Sequence, residues 1–462
     1  MYCLQNRWQR QGKTLVYYGL RNKPNLFINK IKLTSRQCAV INQLPCQLSD
    51  EQLAVVKNLV GTQIVPEEQL RITPNSLDEA TFCATCSAND FIIPGLEFDQ
   101  NGQCPMCQTA QETAHLRSVV PVMNDFPHSK KSRFDVAVFY TGGKDSTYLL
   151  YYLAKARNLR VLALTWEIPF MSDSARQSIA NAKQLLPNVE FIGRKVSDND
   201  LKKIYSHLFS LAGNTCACPS LAYVLFYPEL VSNKVPYFVV GNESAQLIGL
   251  YYNHMAPKLA YTFDSNGFLK FLLNVGRVLT LRPPFRKGQF HTLATMKQLA
   301  YGDSILKKMA GYQNQLVSNV VEAIHQVPQI VKPLKRAIRS SSWRGTIPAF
   351  VQVDFDQICG GVYDWRKVKD IITAECGWVA PGNADKGLHT SCKIEKCKEY
   401  SQYARFRNMQ STMIPFSALE ISLASRDKSL SRAEAIAEQK SALGFALEEI
   451  PECEIMRKYL EQ

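Results

Sequence analysis

A buried strand that runs directly into a glycine turn and then a helix is the feature that most constrains this chain. Residues 134–140 (FDVAVFY) are β-branched and aromatic, TGGKDST follows at 141–147, and YLLYYLAKARN then has a helical period. Such a unit presents backbone N–H groups and the positive end of a helix to an anion, and Gly142 and Gly143 let the backbone approach it closely. The spacing of the glycines fits neither the Walker pattern GxxxxGK[ST] nor the dinucleotide-binding pattern GxGxxG. The segment is predicted to bind phosphate.

The side chains of this loop suit a nucleotide phosphate. Hydroxyl donors come from Thr141, Ser146 and Thr147, and Lys144 adds positive charge. Asp145 stands at the helix start, where a carboxylate is favoured and is placed to hold Mg²⁺ bridging phosphate oxygens.

The residues that follow alternate between strand and helix patterns. Strands are predicted at 159–166, 188–192 and 235–240, with a helix over 171–187. This order favours an α/β fold with a parallel sheet, whose ligands bind at the carboxyl ends of the strands. The loops after residues 140, 166 and 240 are therefore expected to share one pocket.

The run TGGKDST resembles the [ST]GGxDS[ST] loop of the N-type ATP pyrophosphatase (PP-loop) superfamily, which has a HUP-like parallel-sheet fold. The resemblance implies that ATP is attacked at its α-phosphate by a substrate oxygen and that pyrophosphate leaves into the loop. Nitrogen or sulfur then attacks the adenylated carbon. It also implies catalytic roles for Lys144 and Asp145, adenosine contacts at Thr165 and Trp166, and phosphate or substrate contacts at Gly241, Asn242 and Glu243.

Four cysteines upstream have the spacing of a metal site. Cys83-x-x-Cys86 and Cys104-x-x-Cys107 are separated by seventeen residues, and Asp99-Gln100-Asn101-Gly102 is predicted to turn the second pair back to the first. Two such pairs place four thiolates around Zn²⁺. Because four sulfurs leave no open coordination position, the predicted zinc is structural.

The two-pair zinc segment, the PP-loop and a later cysteine pair together resemble the N-acetyl sugar amidotransferases of bacterial surface-polysaccharide synthesis. This resemblance implies amide or amidine formation with ammonia from a separate glutaminase partner, on a carbonyl-bearing substrate. Those enzymes carry a later CxxC, whereas this chain has Cys216-Ala217-Cys218.

The later cysteines keep a sulfur transferase open as the alternative. Cys216 and Cys218 precede a helical stretch, where a helix N-terminus lowers a thiol pKa. Thiouridine-forming members of the superfamily use such a pair to accept a persulfide or to ligate an iron–sulfur cluster, which implies thiolation of tRNA, a small molecule or a peptide. Cys376, Cys392 and Cys397, beside His389, are candidates to complete a cluster or a second zinc site. A second alternative is a nucleotide-binding protein without catalysis.

The chain divides into five predicted segments: a small α+β accessory module (1–80), the four-cysteine zinc-binding segment (81–110), a linker (111–133), the PP-loop ATP-binding domain (134–300) and a helical region (301–462). The net charge of +14 predicts an anionic partner. Nucleic acid is not favoured, because no recognisable RNA-binding module accompanies the basic residues of 305–345. Arg277, Arg282, Arg286 and Lys287 are candidates to grip phosphate. No segment reads as a membrane span or signal peptide, so the expectation is a cytoplasmic protein without membrane contact, with homodimerisation open.

Overall fold

The computed structural model describes residues 1–212, 217–218, 220–302, 315–382, 388, 392–443 and 451–462. The strands form a two-stranded antiparallel pair, a three-stranded antiparallel sheet and a five-stranded parallel sheet. In chain order they are β1 (Tyr2–Leu4), β2 (Trp8–Gln11), β3 (Thr14–Tyr17), β4 (Lys30–Lys32), β5 (Ile64–Pro66), β6 (Val136–Phe139), β7 (Val161–Trp166), β8 (Val189–Arg194), β9 (Tyr237–Val240) and β10 (Ala349–Phe350).

The parallel sheet has the strand order β10-β9-β6-β7-β8. Val138 at its centre pairs with Ala163 on β7 and with Val239 on β9. The residues of β6 and β7 are buried on both faces, as expected for a parallel sheet covered by helices. The predicted α/β class and its parallel sheet are confirmed, and each predicted strand of this sheet is present within a few residues.

Helices cover both faces of this sheet. Alternate residues of β6 go to opposite cores: Val138 packs in one with the helices beside the loop, and Phe139 packs in the other. The α-helices up to the loop and through the sheet are α1 (Ser35–Ile41), α2 (Asp50–Val56), α3 (Pro105–Gln108), α4 (Ala110–Thr113), α5 (Lys144–Tyr151), α6 (Asp173–Leu185), α7 (Asp198–Ala212), α8 (Ser220–Ser232) and α9 (Ser244–Tyr252). A π-turn over Tyr152–Ala156 continues α5.

The remaining helices follow β9. They are α10 (Lys258–Thr262), α11 (Gly267–Leu279), α12 (Gln289–Tyr301), α13 (Gln315–His325), α14 (Pro328–Arg344), α15 (Phe355–Ile358), α16 (Trp365–Cys376), α17 (Glu395–Arg407), α18 (Phe416–Arg426), α19 (Arg432–Ala442) and α20 (Pro451–Glu461). The region after residue 301 is therefore mostly helical, as predicted, but it also contributes β10 to the edge of the main sheet, where Ala349 pairs with Tyr237. In the part of the chain that is described, no helix has the length and apolar character that crossing a bilayer requires.

The N-terminal residues have a small core of their own, which includes Trp8, Leu15 and Ile64. A capping box opens α2, where Ser49 and Gln52 exchange side-chain and backbone hydrogen bonds. Of the residues 25–33, only Lys30–Lys32 form a strand.

The residues predicted as a linker are docked against the sheet. The backbone N–H of Met123 donates to the carbonyl of Gln352, and Gln352 N–H donates to Pro121, which continues the parallel pairing beyond β10. The predicted domain limits stay predictions.

Candidate active site and metal centre

The TGGKDST loop occupies the carboxyl edge of the sheet, between β6 and α5. Gly142 has φ +74°, and a Cβ there would lie 2.7 Å from the backbone oxygen of Ala175 at the start of α6. Gly241, after β9, lies so close to α5 that a Cβ would meet the backbone nitrogen of Ser146 at 2.7 Å. The segment after β9 is therefore in contact with the loop after β6, and only glycine fits at the contact.

Hydrogen bonds within the loop fix its conformation. Ser146 Oγ accepts from the backbone N–H of Thr141 at 3.2 Å and lies 3.0 Å from Thr141 Oγ1. Thr147 Oγ1 donates to the carbonyl of Gly143 at 2.8 Å. Gly143 is the N-cap of α5 and has no side chain to occupy the helix N–H groups. The first turn of α5 can thus present backbone donors to an anion.

Lys144 is enclosed by acidic and aromatic groups. Its Nζ forms an ion pair with Asp145 Oδ1 and lies 3.9 Å from Glu243 Oε2. It also lies 4.5 Å from the ring centroid of Tyr363 and 4.2 Å from that of Trp365, within cation–π range. Burial would lower the pKa of Lys144, but the nearby carboxylates outweigh burial and raise the pKa. Lys144 therefore stays charged.

Tyr363 and Trp365 are site residues that the sequence did not predict. Tyr363 donates its hydroxyl to Asp145 Oδ1 at 2.7 Å, and Trp365 donates its indole N–H to Glu243 Oε2 at 2.8 Å. Tyr363 lies in the turn before α16 and Trp365 is the first residue of α16, more than two hundred residues after the loop. The glycine-rich and aromatic stretch CGGVYDW (359–365) was the only local signal.

Glu243 is the most deeply buried acid of the site, with 2% exposure. Its Oε1 has no hydrogen-bond partner among the described residues. Burial raises the pKa of Glu243 well above its ordinary value, although the charge of Lys144 opposes the shift.

An open cavity of about 130 Å³ lies beside the loop, at the ends of β7 and β8. Thr165 lines it, and the Thr165 hydroxyl donates to the Tyr140 carbonyl at 2.9 Å, which ties the cavity to β6. Trp166 points to the opposite face and packs in the core there. The remaining lining has apolar, basic and acidic side chains: Glu167, Met171, Arg176, Ile179, Lys183, Phe191 and Ile192.

The four upstream cysteines converge as predicted. Their Sγ atoms all lie within 4.8 Å of one another, with Cys83 and Cys107 3.8 Å apart and Cys86 and Cys104 3.7 Å apart. Sulfurs arranged tetrahedrally about 2.3 Å from one zinc ion lie roughly 3.8 Å apart. The group therefore fits a single zinc ion. An iron–sulfur cubane fits less well, since each of its thiolates binds a different iron.

The C-terminal helices support this cysteine group. Arg432, at the start of α19, donates to the carbonyls of Cys83 at 2.9 Å and Cys86 at 3.1 Å. Arg426, in the last turn of α18, donates to the Met106 carbonyl at 3.2 Å. Such outer contacts hold metal ligands in place, and two cations offset the negative charge of a zinc–tetrathiolate group.

The later cysteines do not form a second metal group among the described residues. Cys216 and His389 lie outside the described residues, so the predicted roles that depend on them stay predictions. Cys218 is exposed, whereas Cys376 is buried and its pKa is raised to about 11 by that burial. The predicted iron–sulfur or second zinc site has no support in the described part of the chain.

Arg277, predicted as a phosphate-gripping residue, has a structural role instead. It is buried and donates to the carbonyls of Pro283 at 2.6 Å and Ser342 at 3.0 Å. Arg286 and Lys287 remain exposed.

The sequence matches no protein-family model and no curated protein. One similar solved structure is the U34-tRNA thiolase NcsA from Methanococcus maripaludis with its [4Fe-4S] cluster. The match covers 58% of this chain and 88% of that chain, at 15% sequence identity and a TM-score of 0.24.

Proposed function

We propose that the chain is an ATP-dependent enzyme of the PP-loop type that adenylates a carbonyl oxygen of its substrate and releases pyrophosphate. The supporting observation is the TGGKDST loop, which stands at the carboxyl edge of a parallel sheet with the open N-terminus of α5 and the contact with Gly241. A merely nucleotide-binding protein would not require the buried set of ionisable groups around Lys144.

The residues of the site suit distinct parts of this reaction. Backbone donors of the loop and the charge of Lys144 stabilise the negative charge that develops on the leaving pyrophosphate. Glu243 Oε1 is buried and has no hydrogen-bond partner among the described residues, so it suits a hydrogen bond to the substrate or to the departing phosphate. Asp145 suits Mg²⁺. Its described hydrogen bonds all go to Oδ1, so Oδ2 is left to bind the ion. Bound Mg²⁺ would neutralise phosphate charge.

The cavity at Thr165 suits the adenine ring. It has apolar walls from Met171, Ile179 and Phe191, and it opens at the same sheet edge as the loop. Arg176 and Lys183 contribute positive charge to its lining, and Glu167 contributes negative charge. The zinc group takes no part in catalysis in this proposal, because four thiolates fill its coordination sphere.

For the second step we propose sulfur as the nucleophile, with ammonia from a glutaminase partner as the alternative. The support is topological. Helix α8 leads into β9, so it runs antiparallel to the sheet strands and begins at their carboxyl edge, where the loop lies. Exposed Cys218 precedes α8 directly and so belongs to the same edge. In this scheme a persulfide donor transfers its outer sulfur to the Cys218 thiolate, and the resulting persulfide attacks the adenylated carbon, so that AMP leaves with the former carbonyl oxygen. A second thiol, for which Cys216 is the candidate, then attacks Cys218 Sγ, forms a disulfide with it and releases the product with its new sulfur.

The test of adenylation uses the purified chain with Mg²⁺, a cell extract as substrate source and ATP labelled at the α or the γ phosphate. Labelled AMP and labelled pyrophosphate are expected, and Asp145→Asn is expected to slow their formation by about a hundredfold or more. Asp173→Asn is the matched control, since that carboxylate is 79% exposed at the start of α6. ADP and phosphate as products would refute the proposal.

The test of the second step is the mass of the modified substrate, with glutathione persulfide offered as sulfur donor in one reaction and ammonium in another. Sulfur gain that is lost in Cys218→Ser supports the sulfur scheme. Nitrogen gain that Cys218→Ser leaves unchanged would establish the alternative.

A further inference from the structure

Helix α11 is turned with its apolar side toward solvent. Five large side chains at helical spacing form this α11 apolar face, and they are between 39% and 79% exposed: Phe268, Phe271, Leu272, Val275 and Leu279. Val278 and Leu281 extend the face, with 57% and 82% exposure. Contiguous exposed apolar surface of this kind marks an interaction site.

The polar residues of α11 face the protein and hold the helix in this orientation. Asn274 Oδ1 accepts from the backbone N–H of Phe285 at 2.8 Å. Arg277 is buried, bonds to Pro283 and Ser342, and stacks over the Phe285 ring at 4.1 Å. Rotating α11 to bury its apolar face would break these contacts. It would also expose the backbone carbonyls that the buried Arg277 binds. The outward apolar face is therefore built into the sequence.

The segments next to this face carry a net charge close to that of the whole chain. Residues 255–302 and 328–345 contain twelve Lys and Arg and one acidic residue, Asp264. Their net charge is therefore +11, against +14 for the whole chain. No ion pair with a carboxylate of the described residues involves any of the twelve. Apart from Arg277, which is buried and bound to backbone carbonyls, these cations are available to an anionic partner.

The basic residues and the apolar face are neighbours in space. Arg277 of α11 binds the backbone of Ser342 in α14, and Pro283 lies against Gly345, which ends α14. The solvent side of α14 carries Lys332, Arg336, Arg339, Trp343 and Arg344, all exposed. An exposed tryptophan with cations at its sides is typical of residues at a membrane–water interface.

From this arrangement we propose that α11 and the exposed side of α14 form a binding surface for a membrane that contains anionic phospholipids. The α11 apolar face would enter the headgroup region, and the basic residues would pair with lipid phosphates, so the chain would lie on the bilayer without crossing it. Two other occupants fit less well. A two-fold related second copy would bring the two basic surfaces together, which costs energy by like-charge repulsion. RNA would satisfy the cations but would leave the α11 apolar face in water.

The test is co-sedimentation of the full chain with phosphatidylcholine vesicles that contain or lack phosphatidylglycerol. Binding only to the anionic vesicles is expected, with a decrease at high salt. Phe268→Ser/Phe271→Ser is expected to reduce the partition coefficient by about tenfold or more. Arg336→Gln/Arg339→Gln is expected to reduce it about fivefold for each cation. The matched controls, Ile72→Ser and Lys57→Gln/Lys428→Gln, change exposed residues elsewhere and should bind like the parent.

Three outcomes would overturn this proposal. One is the absence of binding to anionic vesicles. Another is tRNA binding that persists in Phe268→Ser/Phe271→Ser while vesicles do not bind. The last is a dimer, seen by analytical ultracentrifugation, that this double variant dissociates while vesicles again do not bind. Mg·ATP affinity and zinc content, measured on every variant, establish that each one is folded, and neither depends on the membrane.

Discussion

The contact between Gly241 and the start of α5 gives a quantitative prediction for Gly241→Ala. The new Cβ would lie 2.7 Å from the backbone nitrogen and 2.8 Å from the Cα of Ser146, and 2.9 Å from the carbonyl carbon of Asp145. Ordinary Cβ contacts begin near 3.4 Å. The loop after β9 must therefore withdraw from α5 by about 0.7 Å, since backbone atoms of a helix cannot turn aside.

Such a shift separates Glu243 from Lys144 and from the phosphate loop. A misplacement near 1 Å costs an enzyme about a hundredfold in rate. We therefore expect Gly241→Ala to lower the rate of pyrophosphate release by between about tenfold and a hundredfold. Overpacking at the same contact is expected to lower the free energy of unfolding by about 1–3 kcal/mol.

The assays are pyrophosphate release with cell extract as substrate source, and urea unfolding followed by circular dichroism. Gly276→Ala is the control, because a Cβ there has no neighbour within 4 Å. It lies in the interior of α11, where alanine stabilises a helix by roughly 0.5–1 kcal/mol over glycine. A Gly241→Ala variant with parental rate and stability would refute the contact between the two loops.

Three further predictions concern the metal group, acid stability and thiol reactivity. Cys104→Ser is expected to reduce bound zinc from one ion per chain to none, measured by inductively coupled plasma mass spectrometry; retained zinc would contradict the four-thiolate group. Burial would raise the pKa of Asp135, but hydrogen bonds from Arg160 and backbone N–H groups outweigh it and hold the pKa far below its ordinary value. The stabilisation that Asp135 gives is thus complete above the unfolded-state pKa of about 4 and is lost as pH falls below it. Asp135→Asn should therefore flatten the decline of the free energy of unfolding between about pH 5 and pH 2. An unchanged decline would contradict this. At pH 8 iodoacetamide is expected to modify exposed Cys218 and to spare Cys376, as checked by peptide mass spectrometry, and equal labelling would show that Cys376 is not buried.

The sequence predicted the central sheet because its strands carry a local signal. The strands β6 and β7 are buried on both faces and read as continuous apolar runs, which few other structures produce. The cysteine group was predictable for a similar reason, since ligand spacing in each CxxC pair is a local property.

The aromatic residues around Lys144 could not be predicted in this way. Tyr363 and Trp365 reach the loop only because the turn before α16 folds back over α5, and this contact depends on the packing of two distant helices. The sequence also did not show which side of α11 faces the protein. Its sequence has one apolar and one polar side, and periodicity alone does not tell which side faces the protein.

The central claim is that a substrate oxygen, and not water, attacks the α-phosphate of ATP. Turnover in water enriched in ¹⁸O tests it most directly, with the AMP product analysed by mass spectrometry. If a carbonyl oxygen is adenylated, that oxygen leaves with AMP, so AMP is expected to contain no ¹⁸O from the solvent. AMP that carries one solvent ¹⁸O would show direct hydrolysis of ATP and would contradict the account.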